Sequence, residues 1–250
     1  MPAARSVRSP RARILGFIRR HGGSVLGSIT ATTSDSVVLT FDDGPDPDQT
    51  PRVLDALAEH DATATFFVLV TRVREYPALL RSVSAAGHEI ALHGGDHRAL
   101  TSFSGAEAAS RLARARIELE SVTGTAVRWY RPPYGAQSPT SWRAVRRTGL
   151  VPVLWSGTLH DSAAVDAARR AGATDRAAAA GRIVLAHDGI ADERDGVTDP
   201  PAPVADRAAL ARDFLGLCQD RRLPVRSLHD ALAAGATPVR TLELTTLRSG

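Results

Sequence analysis

The chain contains no lysine: all 31 of its basic residues are arginine. It has a single cysteine, Cys218, and no apolar run near the ~20 residues that a bilayer-spanning helix needs. Each absence closes a class of chemistry. Without lysine there is no Schiff base to pyridoxal phosphate, no P-loop lysine for nucleotide phosphates and no kinase strand lysine. One cysteine excludes an intrachain disulfide framework and a Cys-rich zinc or iron–sulfur centre. Any metal must therefore sit on imidazole and carboxylate, and eight histidines supply the imidazoles.

What is present describes a soluble globular chain of one domain: 250 residues, 43% hydrophobic and 23% charged, enough to bury a sizeable core. The net charge of +4 is unevenly spread. Residues 1–34 carry Arg5, Arg8, Arg11, Arg13, Arg19 and Arg20 with no acid, whereas the remaining 25 arginines face 27 acids, a net of −2. The positive charge belongs to an arm, read as a poorly ordered basic leader, and no nucleic-acid partner is expected of the body. The arm is not a convincing signal peptide, because the apolar stretch from Ile14 to Ile18 is short and Arg19, Arg20 and His21 follow at once. Location is left open between cytoplasm and export.

Hydrophobic periodicity alternates short β-rich runs with helical patterns, as in a parallel α/β sheet or barrel. Strands are predicted at Val37 to Phe41, Thr63 to Val70, Glu89 to Leu92, Val127 to Tyr130, Val151 to Trp155, Ile183 to Ala186 and Pro224 to Leu228. Helices are predicted at Thr50 to Glu59, Tyr76 to Ala86, Ser104 to Val122, Pro139 to Thr148, Ala163 to Ala180 and Ala205 to Arg221. Ser104 with Glu107 has capping-box spacing, and Gly124 is placed to end that helix. Val25 to Thr32 is expected to form a hairpin with the first strand across Thr33, Ser34 and Asp35. Gly189 to Val204, rich in Asp and Pro, reads as a loop. The domain plan is thus an arm at 1–34, a catalytic domain at 35–234 and a tail at 235–250, in a chain read as a monomer.

The residues just past each predicted strand are the informative ones. The strand ends deliver Asp42, Asp43 and Gly44; His93 and His97; Arg131; Asp161; and His187 with Asp188. In parallel α/β architectures the C-terminal ends of the strands share one face, and active sites are built there. Singly the pieces are ordinary. Asp-Asp-Gly is a common turn signal, the two histidines leave a strand and are not the helical zincin pair, and Arg-Pro-Pro-Tyr-Gly reads as a stiff turn. Together they suit a catalytic metal held by two imidazoles and one carboxylate, with an open position.

Thr40-Phe41-Asp42-Asp43-Gly44-Pro45, His93-Gly94-Gly95-Asp96-His97, Arg131-Pro132-Pro133-Tyr134-Gly135 and Leu185-Ala186-His187-Asp188 resemble, in order and spacing, the motifs of the polysaccharide deacetylase family with the NodB homology domain, carbohydrate esterase family 4. The resemblance spans about residues 36 to 230. It implies a single distorted (β/α)7 barrel, with its active site at the C-terminal ends of the strands, that removes acetyl groups from N-acetylated carbohydrate with a divalent metal. It implies Asp43, His93 and His97 as metal ligands, Asp42 as general base and His187 as general acid. Arg131 would hold Asp42 ionised, Tyr134 would donate a backbone N–H to the oxyanion, and Asp161 would orient His187. Zn²⁺ is the expected metal, with Co²⁺, Mn²⁺ or Ni²⁺ also suited to these donors. The expected partner is an acetylated oligo- or polysaccharide. Two rival readings are an O-acetyl esterase of xylan type and a non-catalytic carbohydrate-binding relative.

The sequence departs from the family at three places. Gly94 stands where Ser or Thr is usual, which implies either a looser metal site or Asp96 as a substitute acceptor for an imidazole N–H; Ser162 stands where Trp often follows the Asp; and Thr158 replaces a further acid. Trp155 could fill the space left by that missing Trp, but a core role is expected of it. His21, His60, His88 and His229 need no function, His160 neighbours Asp161 and could reach the rim, and Cys218 reads as a small buried hydrophobe.

Overall fold

The computed structural model describes residues 27–198 and 205–242. The first half of the chain runs β1 (Ser28–Thr32), β2 (Val37–Asp42), α1 (Gln49–Glu59), β3 (Thr65–Leu69), α2 (Val70–Glu75), α3 (Pro77–Ala85), β4 (Glu89–Gly94) and α4 (Gly105–Thr123). The second runs β5 (Trp129–Tyr130), α5 (Pro139–Arg147), β6 (Val151–Pro152), β7 (Gly157–Thr158), α6 (Ala167–Ala177), β8 (Ile183–His187), α7 (Arg207–Asp220), β9 (Val225–Arg226), α8 (Leu228–Ala233) and β10 (Pro238–Thr241). Helix boundaries follow local chemistry. Ser104 caps α4 by accepting the Glu107 N–H, and Gly124 ends it with φ 69°, a left-handed conformation that glycine adopts without cost. Among the described residues no helix is long and apolar enough to cross a membrane.

The main sheet curls in the order β6-β5-β4-β3-β2-β8-β7, with every neighbouring pair parallel. This is the expected seven-stranded α/β barrel, left open because the edge strands β6 and β7 do not pair with each other. β9 is wedged against the start of β2 through Val37–Val225 and Val38–Arg226.

Two expectations are corrected at the seam. The strand within Val25 to Thr32 makes no hairpin with β2; β1 pairs antiparallel with β10, which lies in the segment expected to be a tail. The reason is edge occupancy, since β9 and β3 cover one edge of β2 and β8 covers the other. β1 instead lies along the open seam, where Ile29 O accepts the Leu154 N–H at 2.7 Å and Ala31 bridges Arg182. Most of the basic arm, residues 1–26, and the last residues of the tail, 243–250, lie outside the described residues.

Period-two alternation sorts the strand residues into two layers. Leu39, Phe41, Phe66, Val68, Leu92, Tyr130, Val184 and Ala186 join the cluster that also holds the buried helix residues. Phe41 and Phe66 stack there at 5.1 Å between centroids, and truncating either to Ala is expected to cost about 3–5 kcal/mol. Val38, Phe67, Ala91, Trp129 and Ile183 form a second cluster inside the barrel with Ile29 and Val153. Continuing those inner rows toward the C-terminal ends gives Thr40 and Asp42 on β2, His93 on β4, Arg131 after β5 and His187 on β8.

Candidate active site

Asp42 and His187 are lateral partners on neighbouring strands. Consecutive strand residues point to opposite faces, so Asp43 would normally turn away from Asp42. It does not, because Asp43 adopts φ 74°, the left-handed region that Asp enters more readily than most residues. The turn closes on Gly44, where a Cβ would lie 2.1 Å from Asp188 Oδ2. Asp188 is itself buried, accepts the Thr50 hydroxyl at 2.6 Å, and is pushed up to about 7 by burial. The chain thus delivers two adjacent carboxylates to one pocket.

Asp43 Oδ1 lies 3.4 Å from His93 Nε2 and 3.4 Å from His97 Nε2. His93 Nδ1–H donates to the Arg131 carbonyl at 2.9 Å, which leaves Nε2 as its free lone pair. Burial, with His97 and Arg131 adding, pushes the His93 imidazole well below its ordinary value, so it is neutral. Asp43 Oδ1 is buried without a hydrogen-bond donor. An acceptor oxygen with no donor, facing imidazole nitrogens, is unfavourable unless a cation lies among them. The three donor atoms lie within 4.8 Å of one another, so the residues present fit a divalent metal.

Two charge pairs flank this trio. Arg131, fully buried, donates from Nη1 to Asp42 Oδ1 at 2.7 Å and to Thr40 Oγ1 at 2.7 Å. Its guanidinium rests on the Phe67 ring at 4.1 Å. Burial pushes Asp42 up to about 6, against the pull of Arg131 and His187. On the other side Asp161 accepts from His187 at both the backbone N–H and ring Nδ1. Burial acts to raise Asp161 as well, but His187 holds it below the usual carboxylate range. Tyr134, at φ 60° in the turn after β5, sets its ring edge-on to His97 at 4.5 Å between centroids.

All eight residues singled out from the sequence are therefore grouped at one rim. Asp42, Asp43, His93, His97, Tyr134 and His187 line a pocket of about 330 Å³, with Arg131 and Asp161 bonded behind them. A larger hollow of about 560 Å³, beside His60, Thr63 and Val225, opens at the opposite end and holds none of them.

Gly94 and two side chains, Asp96 and Trp155, bear on the departures from the family motifs. Asp96 accepts from Arg98 and Arg111, and among the described residues from no imidazole, its carboxylate being taken up by the two guanidinium groups. Gly94 leaves no room for the hydroxyl usual at that position, since a Cβ there would lie 2.4 Å from the Asp96 carbonyl oxygen. Trp155 is half-buried and does two jobs, packing on the inner cluster while lining the pocket. Arg207, at the start of α7, also lines the pocket, and nothing in its local sequence marks it. His60, His88, His160 and His229 do not line the pocket, and His21 lies outside the described residues. Cys218 is buried in the outer apolar layer.

The polysaccharide deacetylase family model matches residues 30–153. A chitooligosaccharide deacetylase of Azorhizobium caulinodans is 35% identical over 208 residues, covering 82% of this chain and 99% of that protein. The peptidoglycan-N-acetylglucosamine deacetylase PgdA of Listeria monocytogenes is 36% identical over 163 residues, 63% of this chain and 33% of the relative. Among solved structures, the peptidoglycan deacetylase PdaC from Bacillus subtilis has a TM-score of 0.68 at 26% identity, over 80% of this chain and 91% of that one.

Proposed function

The chain belongs to the polysaccharide deacetylase family and is a carbohydrate deacetylase, and we propose that it hydrolyses the acetamido group of an N-acetylated sugar in an oligo- or polysaccharide. Asp43, His93 and His97 would hold the metal, with Zn²⁺ the proposed occupant on two imidazoles and a carboxylate. When bound, such a cation polarises the acetyl carbonyl and lets water act as a nucleophile at neutral pH.

The chain's own groups move the protons. Asp42 Oδ1 is engaged by Arg131, so Oδ2 takes the proton of the attacking water as the C–O bond forms. Even raised to about 6, Asp42 is mostly ionised at pH 7 and fit to act as a base. His187 Nδ1 is engaged by Asp161, so Nε2 delivers a proton to the departing nitrogen as the C–N bond breaks. Acetate and a free amine leave. The Tyr134 N–H is assigned to the oxyanion, a donor type worth about 10²–10³ in rate when aligned.

One observation carries this reading: a carboxylate paired with arginine and an imidazole paired with a carboxylate are lateral neighbours on β2 and β8, beside a metal-fit trio. Opposite charge partners on two facing groups mark a base and an acid. The test is acetate release from N-acetylglucosamine oligomers, with acetylated xylan as the O-acetyl comparison. Asp42→Asn is expected to keep its metal and lose about 10²–10⁴ in turnover, whereas His93→Ala loses the metal. Near wild-type turnover by Asp42→Asn would refute the mechanism.

A further inference from the structure

Among the described residues three arginines are buried: Arg72, Arg131 and Arg207. Arg72 is paired with Asp192 and Asp195, and Arg131 with Asp42. Arg207 has no such partner among the described residues. It is 3% exposed, its Nε is buried without an acceptor, and it makes no ion pair with a described carboxylate. Asp206 beside it is turned elsewhere, with Oδ1 capping the Ala209 N–H at 3.0 Å and Oδ2 held by Arg52 at 2.6 Å.

A buried cation without an anion is costly to a fold, and this one lines the deacetylase pocket. The catalytic carboxylates are committed elsewhere: Asp42 to Arg131, Asp161 to His187 with Arg207 only a minor electrostatic influence on it, and Asp43 to the trio it forms with His93 and His97. Arg207 also opens the 14-residue helix α7, whose amide dipoles place positive potential at that end. The flat guanidinium fork matches a carboxylate, and Ile190, Ala191 and Val197 of the same wall suit the carbon atoms that would carry one.

We propose that Arg207 is a carboxylate-binding subsite of this pocket, and that the substrate is an N-acetyl sugar bearing a carboxylate close to its acetamido group. The proposal rests on the deacetylase reading and narrows it to an anionic substrate class. The same chemistry has a second source in released acetate, which the experiment separates.

Binding to the metal-loaded full chain is measured by calorimetry with N-acetylglucosamine, with N-acetylmuramic acid, which adds a lactyl carboxylate to the same sugar, and with acetate alone. Wild type is expected to bind the acidic sugar about tenfold to a hundredfold more tightly than the neutral one, the range for a charge-assisted contact. Arg207→Gln is expected to remove that preference and Arg207→Lys to keep part of it. Equal affinities in wild type, or a preference that survives in Arg207→Gln, would overturn the subsite. Acetate binding as tightly as the acidic sugar, with the same loss in the variant, would overturn the substrate class by assigning Arg207 to product. Should Arg207→Gln fail to fold, wild type and Arg207→Lys still decide. Absence of acetate release from every sugar would count against the deacetylase reading alone, because the binding preference is measured without turnover.

Discussion

Asp161 grips His187 at two points, accepting its backbone N–H at 2.6 Å through Oδ2 and facing its ring Nδ1 at 2.8 Å through Oδ1. Burial alone would push this imidazole down. The carboxylate of Asp161, with Asp43 and Asp42 adding, more than offsets it and raises His187 to about 9. The imidazole therefore holds its Nε2 proton through the neutral range, as the proposed donor to the leaving amine must.

Replacing Asp161 by Asn is expected to move the alkaline limb of the kcat/KM profile to lower pH. The proton is present below the His187 pKa and lost above it, so wild-type activity is expected to fall as pH rises through about 9. Return to an ordinary value near ~6.5 would cut the protonated fraction at pH 8 by about thirtyfold, with a smaller loss at pH 6. An unmoved limb would remove Asp161 from this role.

Arg131 acts on the other limb. As the proposed base Asp42 must be ionised to accept a proton, and burial has pushed it up to about 6, so activity is expected to decline as pH falls through its pKa. Arg131 is the strongest influence in the opposite direction. Arg131→Gln is expected to shift the acid limb to higher pH than wild type in the same metal, narrowing the profile. A matched pair of pH–rate profiles checks this, and coincident acid limbs would contradict it.

The site was legible in the sequence because period two and strand polarity are both readable. Once Val38, Ala91 and Ile183 are placed on inner faces, Thr40, Asp42, His93 and His187 come next on the same faces at the ends where parallel strands converge. What was not legible depends on long-range geometry. The partner of β1 is decided by which edges of β2 are already taken, a fact spread over β3, β8 and β9. Arg207 looks like any helix-starting arginine until α7 is laid against the rim, and only then does it show that its Nε finds no acceptor among the described residues. Trp155 could be assigned to core or rim from sequence, and the fold uses it at both.

Gly94 gives a prediction about the metal loop. A Cβ there would lie 2.4 Å from the Asp96 backbone oxygen, so Gly94→Ser must displace the loop between His93 and His97. The expected cost is about 1–3 kcal/mol of stability, the usual range for overpacking, together with weaker metal binding. Denaturant unfolding in the presence of chelator reads the first and calorimetric metal titration the second. A variant with unchanged metal affinity would show that the loop accommodates the hydroxyl.

The loops after β4 and β8 are tied together beneath the pocket, and this tie makes the last prediction. Arg72 Nε donates to the fully buried Asp195 Oδ2 at 2.9 Å, Thr71 donates to Oδ1 at 2.5 Å, and the Asp195 carbonyl accepts the His97 N–H at 2.8 Å. His97 is therefore held by a loop whose own place depends on a buried ion pair. Arg72→Met leaves Asp195 without its cation, which is expected to cost about 3–5 kcal/mol and to weaken metal binding through His97. The double variant Arg72→Met with Asp195→Leu removes both charges and is expected to regain much of the stability, because apolar replacement of a buried pair is often neutral. The bond to His97 uses the backbone of residue 195, so metal affinity is expected to recover along with the fold. Recovery of stability without recovery of metal affinity would show that the charges themselves, and not the loop they hold, position His97.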